Sequence, residues 1–194
     1  MLYRFCRFLL RVIYNVLFRL EARGRENVPT DGPVVLASNH ISLLDPPTVG
    51  IKLERKVHYM AKEELFKIPL FGPLIRGLGA FPVKRGGVSK DAIRSAINLL
   101  KEDKIMGIFP EGTRNSSEGS AAKKGAAMIA VRSGAVIVPV AVIGEYKLFR
   151  KMIVLYGKPV DISALIHDSS PDMLEQVTDA IMARIREMLQ QNKL

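Results

Sequence analysis

Residues 34–47 read VVLASNHISLLDPP, and the way this stretch divides decides the fold class. Val34–Ser38 is a short apolar run suited to a buried strand. Asp45, Pro46 and Pro47 then read as a helix start, with Asp45 as the cap and proline where a missing N–H costs little. That helix is expected to run to about Leu53. Strand, short loop, helix: the unit repeats along the chain.

Short strands are predicted over 58–61, 80–83, 105–109, 135–142 and 153–156. Residues 63–79 are apolar but punctuated by Pro69, Gly72, Pro73 and Gly77, which predicts broken helix. Residues 89–102 form an amphipathic helix with Ala92, Ile93, Ala96, Ile97, Leu99 and Leu100 inward. Further helices are predicted over 123–133 and 171–189. Alternating strands and helices specify an α/β fold, with helices flanking a central mixed, mostly parallel sheet. Residues 23–33 are turn-rich and mark a boundary, so the chain divides into an N-terminal helix over 1–22 and one domain over 28–194.

The first twenty residues, MLYRFCRFLLRVIYNVLFRL, are interrupted by arginines and too short for a spanning helix, which needs roughly 20 mostly apolar residues. The arginines run through the apolar stretch, and no small-residue cleavage site follows, so a secretory signal fits poorly. On a helical projection Arg4, Arg7, Arg11, Asn15 and Arg19 share an arc of roughly 120°. Leu2, Phe5, Leu9, Val12, Ile13, Val16, Leu17 and Leu20 fill the wider face. This predicts a helix lying in a membrane interface, with its arginines near lipid phosphates. A helix packed on its own domain, arginines to water, fits the same pattern.

With 29 basic against 19 acidic residues the net charge is +10, which attracts anions: acidic headgroups, phosphorylated small molecules or nucleic acid. Cys6 has no partner in the chain, so an intrachain disulfide and a zinc site built on cysteine pairs are both excluded.

Chemistry gathers where predicted strands end. His40 follows the strand Val34–Ser38 directly, and imidazole is suited to moving protons near neutral pH. On one helix His40 and Asp45 would diverge by about 140°. They meet only if 41–44 turn; one carboxylate oxygen could then cap the helix at the Thr48 N–H while the other orients the ring. A plain cap beside an unrelated histidine fits equally well. The second cluster, Phe109-Pro110-Glu111-Gly112-Thr113-Arg114, also follows a strand, and Arg114 can fork onto a phosphate. A solvated turn with a surface Glu–Arg pair is the plainer reading. Lys84-Arg85 forms a third basic site and Lys123-Lys124 a fourth, at a helix start where cations oppose the dipole. His58 and His167 read as structural or surface residues.

Together these segments resemble the 1-acylglycerol-3-phosphate (lysophosphatidate) acyltransferase family. Asn39-His40 and Asp45 match its N-H-x4-D signature, and residues 79–85 (GAFPVKR) resemble the block that ends in a phosphate-contacting arginine. Residues 109–114 (FPEGTR) and 138–140 (VPV) follow in the family's order. Asn115 and Pro82 depart from the common pattern. The resemblance implies acyl transfer from acyl-CoA or acyl carrier protein to the sn-2 hydroxyl of lysophosphatidate, giving phosphatidic acid at the cytoplasmic face of a membrane. His40 would be the general base and Asp45 its partner. Lys84, Arg85, Glu111, Gly112, Thr113, Arg114 and Lys124 would bind substrate. No metal and no cofactor are expected, and no nucleic-acid partner. Acylation of glycerol 3-phosphate or another lysolipid, and lipid binding without catalysis by a basic peripheral membrane protein, are the competing expectations.

Overall fold

The computed structural model describes residues 2–83, 90–111, 119–167 and 170–193, and at 2, 119–124 and 167 the backbone alone. Seven strands form one sheet: β1 (Glu21–Arg23), β2 (Val34–Ser38), β3 (Val57–Lys62), β4 (Ala80–Val83), β5 (Ile105–Ile108), β6 (Val136–Ile143) and β7 (Ile153–Tyr156). Their order is β1-β7-β6-β2-β5-β3-β4. Every neighbouring pair is parallel except β6 with β7.

Residue alternation in β2 sorts the core into two layers. Val34 and Leu36 point to one face and pack with Val49, Val138 and Val140. Val35 and Ala37 point to the other, toward helices α4 (Lys90–Lys101), α5 (Gly119–Ser133) and α7 (Met173–Gln191). All five β2 residues are buried, as expected of a central parallel strand covered on both sides. The first layer holds α1 (Leu2–Phe18) and α2 (Asp45–Gly50). The smaller α3 (Phe71–Gly77) and α6 (Ser163–His167) complete the chain, and a 3-10 turn over Glu63–Lys67 precedes α3. The segment 63–79 is therefore broken helix, as its prolines and glycines predict. Pro82 sits on β4, the outermost strand, where a missing donor is tolerated.

Five local expectations are corrected. Residues 21–23 form a strand beside β7, where 21–22 are expected to end the N-terminal helix and 23 to begin a turn; three residues are too few to show a period. Gly24 then turns with φ 71°, so close to Tyr156 that an added Cβ would stand 2.1 Å from its carbonyl oxygen. The helix expected over 123–133 starts at Gly119, and α2 stops at Gly50 instead of reaching Leu53. Asp45 caps nothing: the Thr48 N–H donates to the Leu44 carbonyl, 3.2 Å away.

The fifth correction concerns α1. Its Tyr14 and Phe18 enter the core. Arg7 and Arg11 turn inward as well: Arg7 donates to the Leu53 and Glu54 carbonyls at 2.7 and 2.5 Å, and Arg11 to those of Ile51 and Leu53. These carbonyls belong to the loop that follows α2, and guanidinium forks satisfy them. Both arginines also pair with the Glu54 carboxylate. The arc expected to meet lipid phosphates thus partly meets protein. The stripe left outward is Phe5, Phe8, Leu9, Val12 and Val16. Among the described residues no helix is long and apolar enough to cross a membrane.

Candidate active site

Parallel sheets gather loops at the carboxyl ends of their strands, and β2 and β5 lie side by side there. At the tip of β2, Asn39 replaces a rung of backbone pairing with its side chain. Its Nδ2 donates to the Val142 carbonyl at 3.0 Å, and its Oδ1 accepts from the Val142 N–H at 2.8 Å. The chain is thereby clamped to β6 up to the residue before His40. From there it leaves the sheet.

Residues 41–44 turn, and His40 and Asp45 meet: Nδ1 lies 2.6 Å from Oδ2. The same Oδ2 accepts the backbone N–H groups of Ile41 and Ser42, at 2.6 and 2.7 Å. The other oxygen, Oδ1, accepts the hydroxyl of Tyr146 at 2.7 Å. Tyr146 in turn lies 2.7 Å from Thr48 Oγ1 and sets its ring edge-on against Phe18. Asp45 is wholly buried, with 0% exposure. Burial would raise its pKa, but the bonds from His40, Ser42, Tyr146 and Ile41 outweigh it and hold the carboxyl below the usual range. An ionised Asp45 facing Nδ1 places the proton of a neutral imidazole on that nitrogen. Nε2 is left as the free lone pair, which is what a general base needs.

Because the folded-state pKa of Asp45 is depressed, the stability this group contributes is fully present above its ordinary value of 3.8 and is lost as pH falls through the lower, folded value. In urea titrations from pH 7 down to 2, the stability gap between wild type and Asp45→Asn should narrow only below about pH 4. A gap constant across that range would show that the carboxylate is not held ionised by its donors.

The second cluster reaches the first through Phe109. Its ring stacks on that of His40 at 4.2 Å between centroids and 22° between planes. Tyr59 lies behind it at 6.3 Å. Gly107 makes room for that tyrosine, since a Cβ there would stand 2.1 Å from the Tyr59 ring. The strand-end runs 39–45 and 109–111 are therefore in contact. Glu111 is half-buried in the turn that follows β5. Lys84, Arg85, Gly112, Thr113 and Arg114, and the side chains of Lys124 and His167, lie outside the described residues. His58 sits apart from the pair, its Nδ1 3.1 Å from the Ile105 carbonyl oxygen, and burial lowers its pKa. Among the described residues no cluster of three or more His, Cys, Asp or Glu side chains could hold a metal ion.

Tyr146 escaped the sequence reading. It lies 101 positions beyond Asp45, outside every motif, and no spacing rule reaches that far.

The chain matches the family model described as Acyltransferase over residues 19–143. It is 37% identical to the 1-acyl-sn-glycerol-3-phosphate acyltransferase of Bacillus subtilis (strain 168), over 100% of this chain and 98% of that one. A protein of the same name from Streptococcus pneumoniae (strain ATCC BAA-255 / R6) is 30% identical over 94% of this chain and 70% of its own. The crystal structure of the 1-acyl-sn-glycerophosphate (LPA) acyltransferase from Thermotoga maritima superposes with a TM-score of 0.73 at 27% identity. That match covers 96% of this chain and 79% of the other.

Proposed function

The chain belongs to the acyltransferase family, and from that premise we propose that it moves a fatty acyl group from a thioester to the sn-2 hydroxyl of 1-acylglycerol 3-phosphate, giving phosphatidic acid. The relatives named for that reaction support the acceptor. The observation that carries the mechanism is the buried Asp45 carboxylate 2.6 Å from His40 Nδ1, with Phe109 stacked on the ring.

In this reading His40 Nε2 takes the proton of the sn-2 hydroxyl as the oxygen attacks the thioester carbonyl. Asp45 stabilises the imidazolium that forms. The tetrahedral intermediate collapses, the C–S bond breaks, and the imidazolium returns its proton to the departing thiolate. No acyl-enzyme is needed: the only cysteine, Cys6, lies on α1, and the chain has no G-x-S-x-G elbow. Lys84, Arg85, Arg114 and Lys124 would hold the lysolipid phosphate. Gly112 would let the backbone approach it, and Glu111 with Thr113 would position the glycerol hydroxyls. The thioester is the only activated reagent the reaction requires, so no cofactor enters.

The outward stripe of α1, with Phe8 66% exposed, supports contact with a lipid surface, and the net charge of +10 supports an anionic one. A cytoplasmic-face, peripheral or monotopic placement follows from that reading. The helix α1 would then serve as the interface element, and the sheet domain, to which β1 at Glu21–Arg23 already belongs, as the catalytic unit.

Free-thiol release from acyl-CoA tests the reaction. It should depend on added lysophosphatidate, with glycerol 3-phosphate and a lysophosphatidylcholine as parallel acceptors. Equal or greater release with either of the latter would reject the assigned acceptor.

Tyr146→Phe probes the pair's support. The carboxylate loses one of its donors and the cavity keeps its shape. A charge-assisted hydrogen bond is worth about 1.5–3 kcal/mol, so kcat should fall by roughly 10- to 150-fold with KM within about twofold. An unchanged kcat would leave Tyr146 with a packing role only.

A further inference from the structure

A groove of about 680 Å³ runs between α4 and α5, on the sheet face opposite α1, and takes no part in the chemistry above. Its rim carries Lys90, Arg94 and Lys101 from α4 and Arg132 from α5, all exposed. Among the described residues no carboxylate pairs with any of the four. Its floor is apolar, with Ile97 and Met128 half-buried. The α4 cations fall at steps of four and seven residues, so they share one side of the helix and spread over roughly 16 Å at 1.5 Å per residue.

Four exposed cations with no carboxylate partner, set around an apolar bed, make a stripe that attracts an anionic occupant. The spread says which kind. A nucleotide phosphate cluster is compact, whereas a three-turn helix with carboxylates on one side and apolar residues between them matches the stripe in both length and period. Orientation adds a second argument. The helix α4 leads from the end of β4 to the start of β5, both parallel to β2, so its Lys90 end lies at the carboxyl edge where His40 sits. An occupant lying along the groove therefore has one end at the catalytic edge. The α1 stripe, on the opposite layer, stays free for lipid.

We propose that this groove docks the acidic protein that carries the acyl thioester, an acyl carrier protein, through one of its carboxylate-bearing helices. The proposal rests on the acyl-transfer reading and extends it to the donor. The steering is electrostatic, so it acts on the encounter and not on the chemical step.

The experiment compares two donors with the same acyl chain, loaded carrier protein and acyl-CoA, with lysophosphatidate as acceptor. The full chain and the variant Arg94→Glu/Lys101→Glu/Arg132→Glu are assayed side by side. With the carrier, KM should rise roughly tenfold or more in the variant, and the wild-type KM should climb with salt while the variant's does not. With acyl-CoA, kcat/KM should stay within about twofold. Arg94→Ala, matched to wild type by circular dichroism, should show the same ordering with a smaller shift. Equal losses with both donors would overturn the proposal, as would no loss with either. So would a variant that loses only its binding to phosphatidylglycerol vesicles, because the groove would then face lipid. Wild type that uses acyl-CoA but refuses the carrier defeats the docking site alone. Wild type that acylates lysophosphatidate from neither donor defeats the underlying reaction and the docking site with it.

Discussion

His40→Ala should lower kcat by roughly 10²–10⁴, the usual contribution of a positioned general base, in lysophosphatidate-dependent thiol release. The expectation follows from geometry. Nδ1 is committed to Asp45, so Nε2 is the one nitrogen free to meet a hydroxyl, and no other described histidine lies in the site. The fold should survive. Asp45 keeps the donors Ile41 N, Ser42 N and Tyr146 OH when the imidazole goes, and Phe109, half-buried outside the core clusters, keeps Tyr59 as a ring neighbour. Circular dichroism should therefore match wild type while turnover collapses. Turnover within a few-fold of wild type would reject the acid–base role outright.

Asp45→Asn should cost a comparable factor, about 10²–10⁴ in kcat, by a different route. Four donors converge on this carboxylate, three on Oδ2 and one on Oδ1. An asparagine can set its carbonyl oxygen where Oδ2 lies and present its amide N–H to the Tyr146 oxygen, which can turn to accept. Most of the bonding survives that exchange; the negative charge does not. The imidazolium formed as the hydroxyl is deprotonated then has no counter-ion in a buried setting, and the barrier rises. Weakening the charge-assisted bonds should cost about 1–2 kcal/mol in urea unfolding, against about 2.7–5.5 kcal/mol for the loss of rate. A stability loss as large as the rate loss would make Asp45 a structural residue and not a partner in catalysis.

The two predictions differ in how much of their basis was legible beforehand. Both residues stand out in the sequence, His40 by its seat after an apolar run and Asp45 by the prolines that follow it. That they touch was open, since five residues separate them and a helix would have pointed them apart. What closes the gap is a turn whose own N–H groups at Ile41 and Ser42 bind the carboxylate. Reading Asp45 as a helix cap located the residue and mistook its partners. The bonds run backward to the loop and the histidine, and the first turn of α2 is satisfied by backbone. Arg7 and Arg11 went astray similarly. A helical projection sorts residues by face, but it does not say which face meets protein.

By itself the sequence determined the alternation of strands and helices, the buried strand Val34–Ser38 and the order of the motif-bearing loops. Those properties depend on residues within one or two turns of each other, where period and turn chemistry act. Only the tertiary structure decided that Phe109 covers His40, that Tyr146 reaches Asp45, that α1 turns two arginines inward, and that four cations from two helices share a groove. Each of these joins segments far apart in the chain, and which distant segments become neighbours is set by how the whole sheet closes its core.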